Sequence, residues 1–356
     1  MSFHMGLNNR RGSNMLRIAV WYESQLGRND GNPLYVDSFL QRTQHFCDVM
    51  LRRNQNKSLI RAFPNSKNLL DPRAEEMAKW ILENLDSDGI EVVHLRPQGN
   101  EFKQYGQFDM HVWVDWGEDG LTGVLPYECS FPSGAPIVYW ASDTHLGYDY
   151  RLSVAKKSDL VFCAQKDAVE RMKQDGLTAP VYWLPHAFEP LAYPKFNMAS
   201  KKYDVAFVGH VNSENRLESL DRLFREFPNF FFGQRRFEAA SEIFAKSRIS
   251  FNVAMKDDVN MRCFEIMGSG NFLMTDRISS IEDIFVDRKH CVLYDNLDDL
   301  VLKVRYYLEH EEEREAIAKC GYEYAMQKHT IYHRVLEMFN QAKANGLIKE
   351  AIHARS

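Results

Sequence analysis

The chain has 356 residues, 45% of them hydrophobic and 26% charged, with a net charge of −5. That size supports two ordinary domains with separate cores, and that balance excludes wholesale disorder. The negative sum excludes a global attraction to nucleic acid or anionic lipid, and no apolar run approaches the roughly 18 residues of a membrane span.

MSFHMGLNNRRGSN, residues 1–14, lacks the apolar centre of a signal peptide and is expected to be a disordered leader. From Leu16, LRIAVWY predicts a first strand, and IEVVHL, MHVWV, PIVYWA, DLVFCA and VYWL predict five more. Amphipathic runs such as AEEMAKWILENL and KDAVERMKQDG lie between several of them. Strand–helix alternation of this kind predicts a parallel sheet with helices on both faces. After Leu184 the pattern stops, and PHAFEPLAYPKFNMASKK has the composition of a linker.

It then restarts. YDVAFVG predicts a fresh first strand, NRLESLDRLFREF a helix, and NFFFG, RISFNVA, NFLMT and HCVLY four further strands. DDLVLKVRYYLEH, EEEREAIAKCGYEYAMQK and the segment from Thr330 to about Ala351 predict three closing helices. Two doubly wound α/β domains joined in this way set a cleft between the carboxyl ends of two sheets, where such folds bind ligands. Six cysteines (Cys47, Cys129, Cys163, Cys263, Cys291, Cys320) are scattered without C-x-x-C spacing, which predicts reduced side chains and a cytoplasmic location.

Gly209 and His210 follow the restarted first strand, and the next helix is expected to begin near Ser213 or Glu214. A glycine turn opening onto a helix N-terminus favours phosphate through free N–H groups and the helix dipole. The opposite wall is NMRCFEIMGSGNFLMT, residues 260–275. There Arg262 has the donor fork for a diphosphate, and Glu265, one turn on, has the acceptors for the hydroxyls of a ribose. Asp257 precedes Glu265 by eight positions and is expected to face a sugar beyond the diphosphate. An ion pair between Arg262 and Glu265 is the plainer alternative.

On DVAFVG, Arg216, RISFNVA, the R-x-F-E-I-M-x-x-G block, NFLMTD and the helices ending at KHT, the segment from Tyr203 to about His333 resembles the carboxyl-terminal domain of GT-B glycosyltransferases. It is most similar to the glycosyltransferase group 1 type that includes spore-maturation (CgeB-like) proteins. The resemblance implies that Glu265 holds the nucleotide ribose, that Asp257 lies by the donor sugar, and that Arg216 and Arg262 serve the diphosphate. It departs at Asp257, where the family's more common residue is Glu, and at DDVNM, where a glycine-rich stretch is usual. It implies a leader (1–14), an acceptor domain (15–187), a donor domain (188–335) and a helix (336–356) that crosses back to the first domain.

In the first half, Asp30 in GRNDGNP, and Asp143 and His145 in ASDTHLG, lie at carboxyl ends of strands and are candidate bases or sugar contacts. VDWGEDG is a further acidic loop, and His186 is expected to pack at the hinge. Residues 42–61 are locally basic but read as a solvated helix face, so a nucleic-acid acceptor is not favoured. Trp113, Trp116, Trp140 and Trp183 lie in or beside strands and are expected in the core. His329 and His333 are expected to pack rather than bind metal. The expected activity is metal-independent transfer, as a hexosyltransferase without a cofactor, from a nucleotide-diphosphate sugar to an acceptor the sequence does not name. The alternatives are a nucleotide-sugar-binding protein without transferase activity and a nucleotide-sugar epimerase.

Overall fold

The computed structural model describes residues 16–22, 90–95, 108–115 and 134–348, apart from 191, 192, 199, 212 and 236. AEEMAKWILENL, residues 42–61, the loop holding Asp30, most of VDWGEDG and the first 14 residues lie outside the described residues.

The first sheet contains β1 (Leu16–Tyr22), β2 (Ile90–Leu95), β3 (Met110–Asp115), β4 (Ile137–Ala141), β5 (Leu160–Cys163) and β6 (Val181–Trp183). All pairings are parallel, in the order β2-β1-β3-β4-β5-β6. The register is tight: Val20 stands opposite His94 on one side and Val112 on the other. β5 is buried along its whole length, which is why LVFC is continuously apolar rather than alternating. Among the described residues, two helices accompany these strands, α1 (Tyr148–Ala155) and α2 (Lys166–Gln174). In α2, Ala168, Val169 and Met172 make the buried stripe, packing with Tyr139, Val161 and Cys163. Trp113 and Trp140 are core residues, 1% and 0% exposed.

The second sheet contains β7 (Tyr203–Val208), β8 (Phe230–Gly233), β9 (Ser247–Phe251), β10 (Leu273–Asp276) and β11 (Val292–Tyr294), again parallel, in the order β11-β10-β9-β7-β8. Its helices are α3 (Glu214–Glu226), α4 (Phe237–Ala245), α5 (Met261–Gly268), α6 (Leu297–Glu309) and α7 (Glu311–Lys328). Strand residues feed two cores by turns. Leu273 and Leu293 enter one, with Phe264, Ile266 and Met267 of α5; Met274, Val292 and Tyr294 enter the other, with Leu300 and Val304 of α6. That period of two explains why residues 272–274 and 291–294 are continuously apolar, each serving one core or the other by turns.

The chain passes between the halves twice, and the two passages lie side by side. Phe188 N–H donates to His329 O at 3.1 Å, and Ile331 N–H donates to Phe188 O at 3.0 Å. The last helix, α8 (Ile331–Ala344), starts at this bridge, and just past its end Asn345 reaches the Tyr182 hydroxyl at 3.3 Å. Arg334 ties the passages together. Its guanidinium donates to Pro185 O (2.6 Å), His186 O (2.9 Å) and Lys328 O (3.1 Å), and sits 2.8 Å from His329 Nδ1. Burial holds His329 down at about 2, so its ring is neutral and accepts from Arg334. His333 works locally, its Nδ1 taking the Thr330 N–H in a capping box at the start of α8. Both histidines are therefore occupied by packing and capping. Among the described residues, Cys163, Cys263 and Cys291 are free and buried, Cys320 is free and exposed, and no helix is long and apolar enough to cross a membrane.

Candidate active site

In the second sheet the strand order reverses between β7 and β9, so the loops leaving these two strands part and open a crevice. One wall is Gly209 and His210 with the start of α3. Ser213 caps that helix, accepting the Arg216 N–H at 3.4 Å. Arg216, expected at a diphosphate, here ties the two loops: Nε and Nη2 donate to Val253 O at 3.0 Å, and Nη1 donates to His210 O at 3.2 Å. The Asp276 carboxylate holds the same loop from below by accepting the Ala254 N–H at 2.8 Å.

The other wall is α5. Asn260 caps it, accepting the Arg262 N–H at 3.1 Å. At its far end Gly270 has φ +79°, its N–H donates to Met267 O, and the Asn271 N–H donates to Ile266 O. This left-handed Schellman ending turns the chain straight into β10. Arg262 and Glu265 share one face, as their spacing requires, and pair at 2.7 Å. The plainer alternative thus holds for the geometry, although the pair is not a solvated surface bridge, because the Glu265 side chain is 3% exposed and that of Arg262 is 20% exposed. The arginine lies at the mouth and the acid behind it.

Between these walls runs the loop 255–260, where the two expected sugar-side features separate. Asp257 is exposed and accepts from Ser279 through its backbone N–H and hydroxyl. Asp258, which the sequence reading did not single out, is 4% exposed and faces the first half. There its Oδ1 accepts from Gln165 Nε2 at 2.9 Å. Lys256 has φ +60°, a strained conformation for a side-chain-bearing residue, and its Nζ crosses to His145 O at 2.8 Å. An exposed ion pair between Lys166 and Asp283, 2.7 Å, makes a third crossing.

From the first half, Asp143 and His145 come off the carboxyl end of β4, in and beside a short 3-10 turn (Thr144–Leu146). Asp143, His145 and Asp258 bring one ligand-type atom each within 4.8 Å of one another. Both ring nitrogens of His145 are buried without a hydrogen-bond partner. Burial, reinforced by the charges of Lys256 and Arg151, lowers His145 to about 4, so the ring is neutral near pH 7. Burial raises Asp258 to about 6 against the opposing pull of Gln165 and Arg216. Two oxygens and one imidazole nitrogen are also a donor set for a divalent cation. A cation there would face the resident charges of Lys256 and Arg151, and Gln165 already donates into Asp258. Of the expected site residues, Asp143, His145, Gly209, His210, Arg216, Asp257, Arg262 and Glu265 all lie at the carboxyl ends of the two sheets. Asp30 lies outside the described residues. Asp258, Lys256 and Gln165 are the additions, and their only sequence trace is a second acid beside Asp257.

Residues 199–340 match a family described as glycosyl transferase-like. HepE of Anabaena, solved with UDP and glucose, is similar to this chain with a TM-score of 0.58 at 13% identity, over 92% of this chain and 100% of that one. The fold is GT-B. Other similar GT-B structures include the sucrose-phosphate synthase of Thermosynechococcus elongatus, at TM-score 0.52 and 12% identity, over 68% of this chain and 76% of that one. The pneumococcal O-GlcNAc transferase GtfA with UDP and GlcNAc reaches TM-score 0.50 at 13% identity, over 70% of this chain and 59% of that one. No curated protein matches by sequence. In GT-B terms, the crevice between β7 and β9 and the loop after β4 are the two faces of one cleft.

Proposed function

We propose that this chain is a glycosyltransferase that moves a sugar from a nucleotide-diphosphate donor, UDP-linked in the first instance, to an acceptor held by the first half. The observation that carries the reading is the meeting of Asp143 and His145 with Asp258 across the cleft, next to the crevice of the second sheet. In that reaction the bond from the anomeric carbon to the diphosphate oxygen breaks, a bond to an acceptor oxygen forms, and the acceptor proton leaves to a base. Glu265 and Arg262 would take the ribose and the diphosphate, assisted by the amino ends of α3 and α5. Asp143 and Asp258 are the acids placed to receive a proton, and His145, neutral, is placed to bond a sugar hydroxyl. HepE and GtfA, both solved with UDP, support the choice of UDP.

Calorimetric titration with UDP and GDP tests the donor site. Glu265→Gln keeps the shape of the buried side chain and should weaken UDP binding by about ten- to a hundredfold, the loss of charge-assisted bonds of ~1.5–3 kcal/mol. Unchanged affinity would remove Glu265 from the site, and failure of the wild type to bind any nucleotide would overturn the reading. Turnover is proposed to be metal-independent, with Arg262 and the helix ends neutralising the leaving diphosphate. UDP release from UDP-glucose should therefore persist in EDTA. Loss that Mn²⁺ restores would instead place an ion between Asp143, His145 and Asp258.

A further inference from the structure

Gln165 stands at the N-cap position of α2, where Ser, Thr, Asp or Asn normally closes the helix with a side-chain bond. It makes no such bond. Its side chain is turned away and is 3% exposed. Every hydrogen-bonding position of the amide is used: Oε1 accepts the Thr144 N–H at 2.9 Å and the Thr144 hydroxyl at 2.7 Å, while Nε2 donates to Ser142 O at 2.6 Å and to Asp258 Oδ1 at 2.9 Å. The Thr144 N–H can only donate and Ser142 O can only accept, so the amide has one orientation. Three of the four bonds fix residues 142–144, the loop that presents Asp143 and His145. The fourth reaches 93 positions along the chain into the other half. A local preference broken at a buried, saturated side chain is the mark of a role that lies elsewhere.

We propose that Gln165 is a positioning residue that registers the two halves, fixing Asp143 and His145 against Asp258 when the cleft is closed. The bond from Gln165 to Asp258 exists only while the halves face each other, whereas the bonds to Ser142 and Thr144 lie within the first half. Gln165 thus acts at the moment of closure and not on donor affinity, which belongs to the second sheet. Lys256, crossing to His145 O, braces the same loop from the opposite direction.

The kinetic arm of the test rests on the glycosyl-transfer reading; the exchange and scattering arms do not. Gln165→Met keeps the length and removes all four bonds. It should lower kcat by about ten- to a hundredfold, the effect of displaced reacting groups, with the UDP Kd unchanged. Gln165→Glu keeps the acceptor for Thr144 but sets a carboxylate against Asp258. It should open the particle in small-angle scattering and speed amide exchange across residues 253–260, with UDP and without. Adding Asp258→Asn to Gln165→Glu supplies a donor on the other side, and should restore compactness and the protection of residues 253–260. The proposal is overturned if Gln165→Met turns over like the wild type, or if the double variant is no more closed than Gln165→Glu. Should wild-type turnover prove absent, the scattering and exchange comparison still decides it.

Discussion

Asp257 and Asp258 are neighbours in sequence with opposite surroundings. Asp257 is exposed on Ser279, and Asp258 is buried against Gln165. Burial makes Asp258 easier to protonate in the folded chain than in the unfolded one, with a value of about 6 against the usual 3.8. Its contribution to stability is therefore present in full below about pH 4 and is lost as pH rises through 6, by ~3 kcal/mol over the window. His145 runs the other way. Held at about 4, it stabilises the fold above its ordinary value of 6.5 and loses that contribution as pH falls. His111 and His333, also near 4, behave like His145, so the absolute curve mixes both signs. The difference between the wild type and Asp258→Asn isolates the acid. In denaturant titrations from pH 4 to pH 7 the variant should gain on the wild type as pH rises, and parallel curves would refute the buried-acid assignment.

At the scale of elements, α5 is the piece on which the proposed donor wall depends. Its paired Arg262 and Glu265 and its glycine ending were legible in NMRCFEIMGSG, because each depends on residues a few positions apart; its cap at Asn260 was not singled out. What holds the helix in place was not legible. A Cβ on Gly268 would come within 2.3 Å of the Phe188 ring, a residue of the segment between the halves. Gly268 is thus a close-approach glycine, and the left-handed turn belongs to Gly270 alone. Gly268→Ala should displace α5, cost about 1–3 kcal/mol as an overpacking change, and weaken UDP binding through Arg262 and Glu265. Differential scanning calorimetry beside the UDP titration checks both effects, and an unaltered melting temperature would show that Phe188 gives way freely. The link from Gln165 to Asp258 escaped sequence inspection for a related reason. Hydrophobic period and turn chemistry are local, while that contact appears only once two sheets face each other. The sequence signal at Gln165 was a weak helix cap, easily passed over as an unremarkable one.

For the molecule as a whole, the strands of both sheets could be placed from alternation and apolar runs, and the linker from its prolines. The course of the chain between the halves could not be, since it is decided by Arg334 and by the bridge from Phe188 to Thr330 rather than by composition. That bridge has a topological consequence. The chain leaves the first half and returns to it at one place, so the whole second sheet with its helices is a single uninterrupted insertion whose two ends touch. Such a body is a natural cassette: it can be exchanged between related chains by two cuts, near residues 188 and 330, without rerouting the backbone of the host. On the proposed function, donor preference would travel with the insertion and acceptor preference would stay with the host, leaving the two free to diversify independently. Such an exchange would have to keep the crossing contacts matched, among them Gln165 with Asp258, Lys256 with His145 and Lys166 with Asp283.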